Sequence, residues 1–196
     1  VGTANTIIDN LSDTKKDFPS LTDDMVGVTG KKGMGNAYGA VVTKETAEGF
    51  KSELQWSTDA DGERFSKQRA TMEEEKWSPV GTGTQKGAVD HEIGHLLEAE
   101  YRNISGGKTL ASNPVIKGEI DSFKAAVRKD KNSYNDNISG SARESPTEVV
   151  EEAWSDHNNN QDPHPTASIQ VQLAEVQMNE NQLQKQNIIQ VIHTAL

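Results

Sequence analysis

Two histidines four residues apart, with a glutamate directly after the first, could bind and use a metal ion. They lie in the segment His91-Glu92-Ile93-Gly94-His95, which matches the pattern H-E-x-x-H. Residues four apart share one face of a helix, so both imidazoles could reach one zinc ion while the glutamate acts as general base toward its water. The pattern is short and also arises by chance, which leaves a helix with two solvated histidines as the alternative.

The residues around the motif favour the metal interpretation. On a helical wheel the two histidines lie opposite one apolar stripe, which consists of Val89, Ile93, Leu96 and Leu97. Such a helix packs one face on the core and turns the other toward a cleft. We predict that it spans residues 84–102, because the glycines of Gly81-Thr82-Gly83 break the chain just before it.

A catalytic zinc ion usually takes three protein ligands, so the motif needs a third. Glu98 lies one turn past His95, but three ligands on one straight helix converge poorly. We therefore predict that Glu98 orients a histidine or faces solvent. Glu148 and Glu152 share a face of a later helix. We predict Glu148 as the third ligand, and Glu152 as the hydrogen-bond acceptor for the free ring nitrogen of a ligating histidine.

Glu148 also has a structural explanation. Ser145-x-x-Glu148 is a capping box with Pro146 at the first helical position, and the helix dipole favours acidic residues in a first turn. Because the histidine motif needs a third ligand, we favour the interpretation of Glu148 as a metal ligand. Glu151 is a rival ligand, although its wheel position is less consistent with pairing to Glu152.

The two segments together resemble the motifs of a known family. His91-Glu-x-Gly-His95 followed by Leu96-Leu97-Glu98, and a separate Glu148-x-x-x-Glu152-Ala153-Trp154, are similar to anthrax lethal factor-like zincins. They are most similar to the metallopeptidase domains of phage minor head and other phage-encoded proteins. The resemblance covers about residues 80–156. It implies zinc on His91, His95 and Glu148, with Glu92 as the base and Glu152 as a supporting carboxylate.

The chain departs from the family pattern at two points. Glu151 stands where a small residue is usual. Members of the family often carry a tyrosine shortly before the third ligand, as an oxyanion stabiliser, whereas residues 139–143 here are Ser-Gly-Ser-Ala-Arg. Tyr134 is the nearest tyrosine and the candidate for that role, with an ordinary loop aromatic as the alternative.

The rest of the chain predicts an α+β fold, which is a mainly helical zincin-like domain with a small antiparallel sheet before the motif helix. Further helices are predicted over 1–19, 61–77, 115–130 and from Ser145-Pro146 to about 160. Strands are predicted over 37–44 and 53–57, after turns around a short strand at 26–36. Gly33-Met34-Gly35 lacks the pattern of a phosphate loop and is predicted to be a turn. The domain would span residues 1–160, followed at 161–196 by a linker and a Gln/Asn-rich helical tail with apolar residues at 169, 173 and 176.

Composition narrows the classes of function. The 196 residues carry a net charge of −10 and include no cysteine, and the mean hydropathy is −0.74. The negative charge argues against a surface for nucleic acid or anionic membranes, and any metal must bind His, Asp or Glu. No apolar run approaches the roughly 18 residues of a membrane span. The remaining histidines, at 157, 164 and 193, are predicted to be surface residues.

These observations predict a zinc-dependent metallopeptidase that acts on a protein or peptide. Zinc would polarise the scissile carbonyl and acidify a water, and Glu92 would pass the proton to the leaving amine. Because the resemblance is to phage-encoded proteins, one alternative is a structural virion component with little or no catalysis and other virion proteins as partners. The other is a secreted or injected effector protease. The virion or the bacterial cytoplasm is the favoured location, with secretion as the alternative.

Overall fold

The computed structural model describes residues 2–35, 37–60, 62–129 and 138–195. Its helices are α1 Gly2–Asp17, α2 Gly62–Glu74, α3 Gln85–Ser105, α4 Pro114–Lys129, α5 Pro146–Asn159 and α6 Pro165–Ala195. Its strands are β1 Met25–Lys31, β2 Gly39–Thr46 and β3 Gly49–Ser57. With 61% of the chain in helices, the mainly helical α+β class is confirmed. No helix of the described residues is long and apolar enough to cross a membrane.

The sheet precedes the motif helix, as predicted, but its strand directions are mixed. β2 and β3 form an antiparallel hairpin in which Thr46 pairs with Gly49. β1 pairs in parallel with the other edge of β3, so the strand order is β1-β3-β2. The prediction of an antiparallel sheet is therefore wrong for β1. The chain crosses from one edge of the sheet to the other between β1 and β2, and Gly33 and Gly35 take φ of 70° and 65° there.

Helix α3 lies at the centre of the core. Its N-terminus is capped by Thr84, whose side chain accepts a hydrogen bond from the backbone N–H of Gly87 at 3.0 Å, and it ends at Gly106, which has φ of 71°. The apolar stripe predicted for this helix is buried throughout: Val89, Ile93, Leu96 and Leu97. Because this stripe packs on the core, the opposite face is left for the two histidines.

Two side chains of α2 hold the loop that leads into α3. Glu73 accepts hydrogen bonds from the backbone N–H groups of Gly81 and Gly83, at 2.9 and 2.6 Å. Arg69 donates from Nη2 to the carbonyl oxygen of Thr82 at 2.8 Å. Helix α2 therefore fixes the point from which the motif helix starts.

The C-terminal helix α6 packs on α3, α4 and α5 over its first half. Its buried face consists of positions spaced four, three and four residues apart: Ala167, Val171, Ala174 and Met178. Of the apolar residues noted in the sequence of this helix, Val176 is 52% exposed, whereas Leu173 is partly buried against the core. Only residues 160–164 separate α5 from α6. The first half of α6 thus shares the core of the helices that precede it.

Candidate functional site

The three predicted ligands meet on the face of α3 that turns away from the core. His91 Nε2 lies 3.7 Å from Glu148 Oε2, and His95 Nε2 lies 4.0 Å from Glu148 Oε1. One ligand atom from each residue lies within 4.8 Å of the other two, and the described residues hold no other such group. Ligands about 2 Å from a tetrahedral zinc ion are roughly 3.3 Å apart, so a small closure would suffice.

Each imidazole is held on its far side by a buried carboxylate. His91 Nδ1 lies 3.2 Å from Glu152 Oε1, and His95 Nδ1 lies 3.0 Å from Glu151 Oε1. In a neutral imidazole, an Nδ1 that keeps its proton and donates a hydrogen bond to the carboxylate behind it leaves the lone pair of Nε2 facing Glu148. This is the tautomer that metal ligation through Nε2 requires.

The structure distributes the supporting glutamates differently from the sequence prediction. Glu152 lies behind His91, in the place predicted for it. The place behind His95 is taken by Glu151, which is completely buried and which the sequence suggested only as a rival ligand. Glu98, predicted to orient a histidine or face solvent, is buried and accepts a hydrogen bond from the backbone N–H of Leu110 at 2.8 Å. Its contact therefore holds the chain that follows α3.

Gly94, between the two histidines, permits the close approach of α3 and α5. A Cβ atom at this position would lie 2.8 Å from Glu151 Cα and 3.1 Å from Glu151 Cβ. Both distances are shorter than an ordinary van der Waals contact. A glycine here therefore allows α5 to bring its three glutamates against the imidazoles of α3.

The two explanations for Glu148 apply to different parts of the residue. Its backbone N–H donates to Ser145 Oγ at 3.1 Å, so Ser145 does cap α5, with Pro146 as the first helical residue. Its side chain turns toward the histidines and accepts a hydrogen bond from Ser141 Oγ at 3.4 Å. The cap therefore orients the helix, and the carboxylate remains free to act as a ligand.

Glu92 is buried beside the histidines. Its side chain lies against Gly39 of β2, where a Cβ atom would come within 2.6 Å of Glu92 Cγ. Its Oε2 has no hydrogen-bond partner among the described residues. Burial raises the pKa of Glu92, although the nearby imidazoles oppose that rise. A carboxylate with a raised pKa and a free oxygen is suited to accept and return a proton near neutral pH.

The site opens onto a cavity of about 510 Å³ bounded by α2, α3, α5 and the start of β2. This volume lies in the range of roughly 300–1,000 Å³ typical of ligand pockets. The wall includes two side chains that the sequence did not single out for function, Arg69 of α2 and Ser141 before α5. No spacing in the sequence links either residue to the H-E-x-x-H motif, so only the fold could reveal them.

The charges around the imidazoles suit a divalent cation. Burial lowers the pKa of His91, but the hydrogen bond and charge of Glu152 outweigh it and raise that pKa to about 10. Contact with Glu151 likewise raises the pKa of His95 against the effect of burial. Without a metal, protons on the imidazoles therefore offset the surrounding carboxylates. A zinc ion would replace those protons, and two imidazoles with one carboxylate are a donor set that zinc accepts.

The other predicted residues lie apart from this cluster or outside the described part of the chain. Tyr134, the candidate oxyanion stabiliser, lies outside the described residues, as does the side chain of His193. His157 and His164 lie at the end of α5 and just before α6, and neither belongs to the ligand group.

Comparisons with protein-family models, curated proteins and solved structures give no match. The resemblance to lethal factor-like zincins therefore rests on the motif residues alone.

Proposed function

We propose that the protein is a zinc-dependent metallopeptidase of the lethal factor-like zincin type, with His91, His95 and Glu148 as ligands. The observation that carries this proposal is that both imidazoles turn Nε2 toward one carboxylate while a buried carboxylate holds each Nδ1. Two solvated histidines would not need such partners. A zinc ion held there would supply a Lewis acid that polarises a scissile carbonyl and acidifies a water.

Glu92 is the residue that moves the proton in this proposal. It takes a proton from the attacking water and returns it to the nitrogen of the leaving amine. Its place between the two ligating histidines in the sequence puts it beside the reacting atoms. Contact with Gly39 holds the carboxylate against the cavity wall before a substrate arrives, and its unpaired Oε2 is available for the proton.

The start of β2 supports an extended peptide as the substrate. β2 is an edge strand of the described sheet, and residues 37–41 line the cavity. The outer edge of such a strand presents backbone N–H and C=O groups with which another extended chain can pair. A peptide held in this way would lie in the cavity that contains Glu92 and the ligand group.

Two substitutions separate metal binding from chemistry. Zinc per chain is measured by mass spectrometry after purification without chelator, and cleavage is measured on a mixed peptide library. We expect about one zinc per wild-type chain. Glu92→Gln should keep the zinc and lose turnover by about 10²-fold or more, and Glu148→Ala should lose the zinc. His157→Ala, outside the cluster, serves as the control and should keep both.

Each outcome bears on a different part of the proposal. Full cleavage by Glu92→Gln would refute its role as base. A wild-type protein that takes up no zinc, even when zinc is added, would refute the metal site. Stable zinc without cleavage of any peptide would favour the structural alternative.

A further inference from the structure

Arg69 is a buried cation in the wall of the cavity that holds the ligand group. It projects from α2, is 6% exposed, and lines the cavity together with His91 and Glu92. Among the described residues no carboxylate oxygen comes within 4.0 Å of its guanidinium nitrogens. Buried charges in proteins are normally paired, because removing them from water is costly. The guanidinium therefore lacks the carboxylate partner that a buried charge normally has.

Hydrogen bonds within the protein use only part of its donor capacity. Nη2 donates to Thr82 O at 2.8 Å, and Nη1 lies 3.8 Å from Met72 Sδ. Nε has no partner among the described residues, although a guanidinium offers five N–H donors. The contact with Thr82 explains how Arg69 holds the loop before α3. It leaves the remaining donors unexplained.

A second donor without an acceptor stands beside the guanidinium. The ring of Tyr38 lies 5.8 Å from Arg69 Cζ, and Tyr38 also lines the cavity. Its hydroxyl oxygen is buried and has no hydrogen-bond partner among the described residues. Both side chains line the same cavity, so an acceptor that enters it from outside the chain would lie near two donors that lack one.

The carboxylates near Arg69 do not serve as acceptors for its guanidinium. Glu73, one turn along α2, is bound to the backbone N–H groups of Gly81 and Gly83. Glu152 is bound to His91. Glu92 and Glu152 attract the guanidinium through space, but neither forms an ion pair with it.

We propose that Arg69, with Tyr38 beside it, binds a carboxylate of the substrate in the cavity that also holds the metal centre. The proposal rests on the proposed function, because the carboxylate would belong to the peptide that is hydrolysed. A guanidinium pairs with a carboxylate through two parallel N–H···O bonds. The chain has a net charge of −10, and the glutamates of the metal centre would repel an acidic group. Arg69 is the cavity feature that would admit one, whether a C-terminus or an Asp or Glu side chain.

Hydroxamates with a second functional group test this site. Each probe carries a hydroxamate, which binds zinc, and a tether of two to four methylene groups that ends in a carboxylate. Its matched control ends in a carboxamide. Affinities are measured by calorimetry on zinc-loaded protein, for the wild type and for Arg69→Gln, Arg69→Lys and Glu73→Gln.

The wild type should prefer the carboxylate over the carboxamide by about tenfold or more at one tether length. Arg69→Gln should lose that preference, and Arg69→Lys should keep part of it, because a charge remains without the planar pair of donors. Glu73→Gln disturbs the contacts of the same loop but leaves Arg69 in place, so it should keep the preference. Circular dichroism shows whether Arg69→Gln is folded, and Arg69→Lys tests the same point if it is not.

Failure of this site and failure of the metal centre give different results. The carboxylate site would be overturned if the carboxylate and carboxamide probes bound equally well at every tether length. It would also be overturned if Arg69→Gln kept the preference for the carboxylate. Either result would leave the metal centre intact. If the protein cannot be loaded with zinc, the metal centre is overturned, and the substrate site argued from it falls as well. If the carboxylate preference is found, two peptide hydroxamates identify which carboxylate is bound. One carries a glutamate side chain and an amidated C-terminus, and the other carries glutamine and a free C-terminus.

Discussion

Replacement of Gly94 by alanine should force apart the two helices that form the site. The new Cβ would lie 2.8 Å from Glu151 Cα, and ordinary contact begins at 3.4 Å, so the gap must widen by about 0.6 Å. The obstacle is backbone, and it cannot yield unless α5 moves. Overpacking of this kind costs about 1–3 kcal/mol, while alanine improves helix propensity by about 1 kcal/mol. We expect a net destabilisation of up to about 2 kcal/mol.

The same displacement should weaken zinc binding. Helix α5 carries Glu148, which lies near Nε2 of both imidazoles, and Glu151, which lies behind His95. The Nε2 to carboxylate distances, 3.7 and 4.0 Å, already exceed those of a closed site. Because ligands and their supporting carboxylates must be held within about 0.5 Å, we expect zinc affinity to fall by about tenfold or more.

Gly118 provides the matched control. It lies inside helix α4, and a Cβ atom there would meet nothing within 4 Å. Gly118→Ala should therefore stabilise the protein by about 0.5–1 kcal/mol and leave zinc affinity unchanged. Urea denaturation gives the stabilities, and competition with a coloured chelator gives the affinities. If Gly94→Ala were as stable as Gly118→Ala and bound zinc as tightly as the wild type, the close helix contact would not be what assembles the site.

Three further predictions follow from the same contacts. Glu151→Gln and Glu152→Gln should each reduce zinc affinity by about 10- to 100-fold, measured by chelator competition, and a loss in only one would show that the other carboxylate does not support its histidine. Saturating the site at 100 times its Kd should stabilise the folded protein by about 2.7 kcal/mol in urea denaturation, and Glu148→Ala should abolish this gain. Burial, together with the charge of Glu151, raises the pKa of Glu98 from 4.5 to about 7, so its contribution to stability is present below pH 4.5 and is lost as the pH rises through 7. At 1.36 kcal/mol per pKa unit this loss of stability is about 3 kcal/mol. Without metal, Glu98→Gln should be about as stable as the wild type near pH 5 and more stable than the wild type at pH 8. A stability difference that does not change with pH would contradict this role of Glu98.

The helices could be predicted from the sequence because their ends depend on nearby residues. Ser145 and Pro146 start α5 as expected, and Pro114 starts α4. The motif helix was predicted from residue 84 to 102 and runs from 85 to 105, because its end depends on Gly106 rather than on the apolar stripe. Capping acts within one turn of a helix, so it can be recognised without knowing the rest of the fold.

The partner of β1 could not be predicted in the same way. A strand exposes the same backbone groups to either neighbour, and pairing is decided by contacts far apart in the sequence. The β2–β3 hairpin is local, which is why its antiparallel pairing was expected and found. The parallel pairing of β1 with β3, in contrast, joins two strands that have β2 between them in the chain.

The arrangement of the glutamates depends on how two helices face each other. The wheel of one helix shows that Glu98 is near the histidine face, but not that the chain returns at Leu110 to bind it. Nor can a wheel show the rotation of α5 about its axis, which decides that Glu151 lies behind His95. Gly94 was visible in the motif, but its importance becomes clear only from its distance to Glu151.

Glu151 is hard to explain by stability alone. It is completely buried on α5, and replacing a buried ion pair by apolar residues of similar volume is often neutral or stabilising. Its contact with His95 Nδ1 gives it a reason, since it leaves Nε2 directed at the candidate metal position. Arg69 is likewise hard to explain by stability, because it is a positive charge that is buried without a carboxylate in contact. Arg69 lines the cavity together with His95, the histidine that Glu151 supports. A site that takes a metal at one wall and an acidic group at another therefore accounts for both buried charges at once.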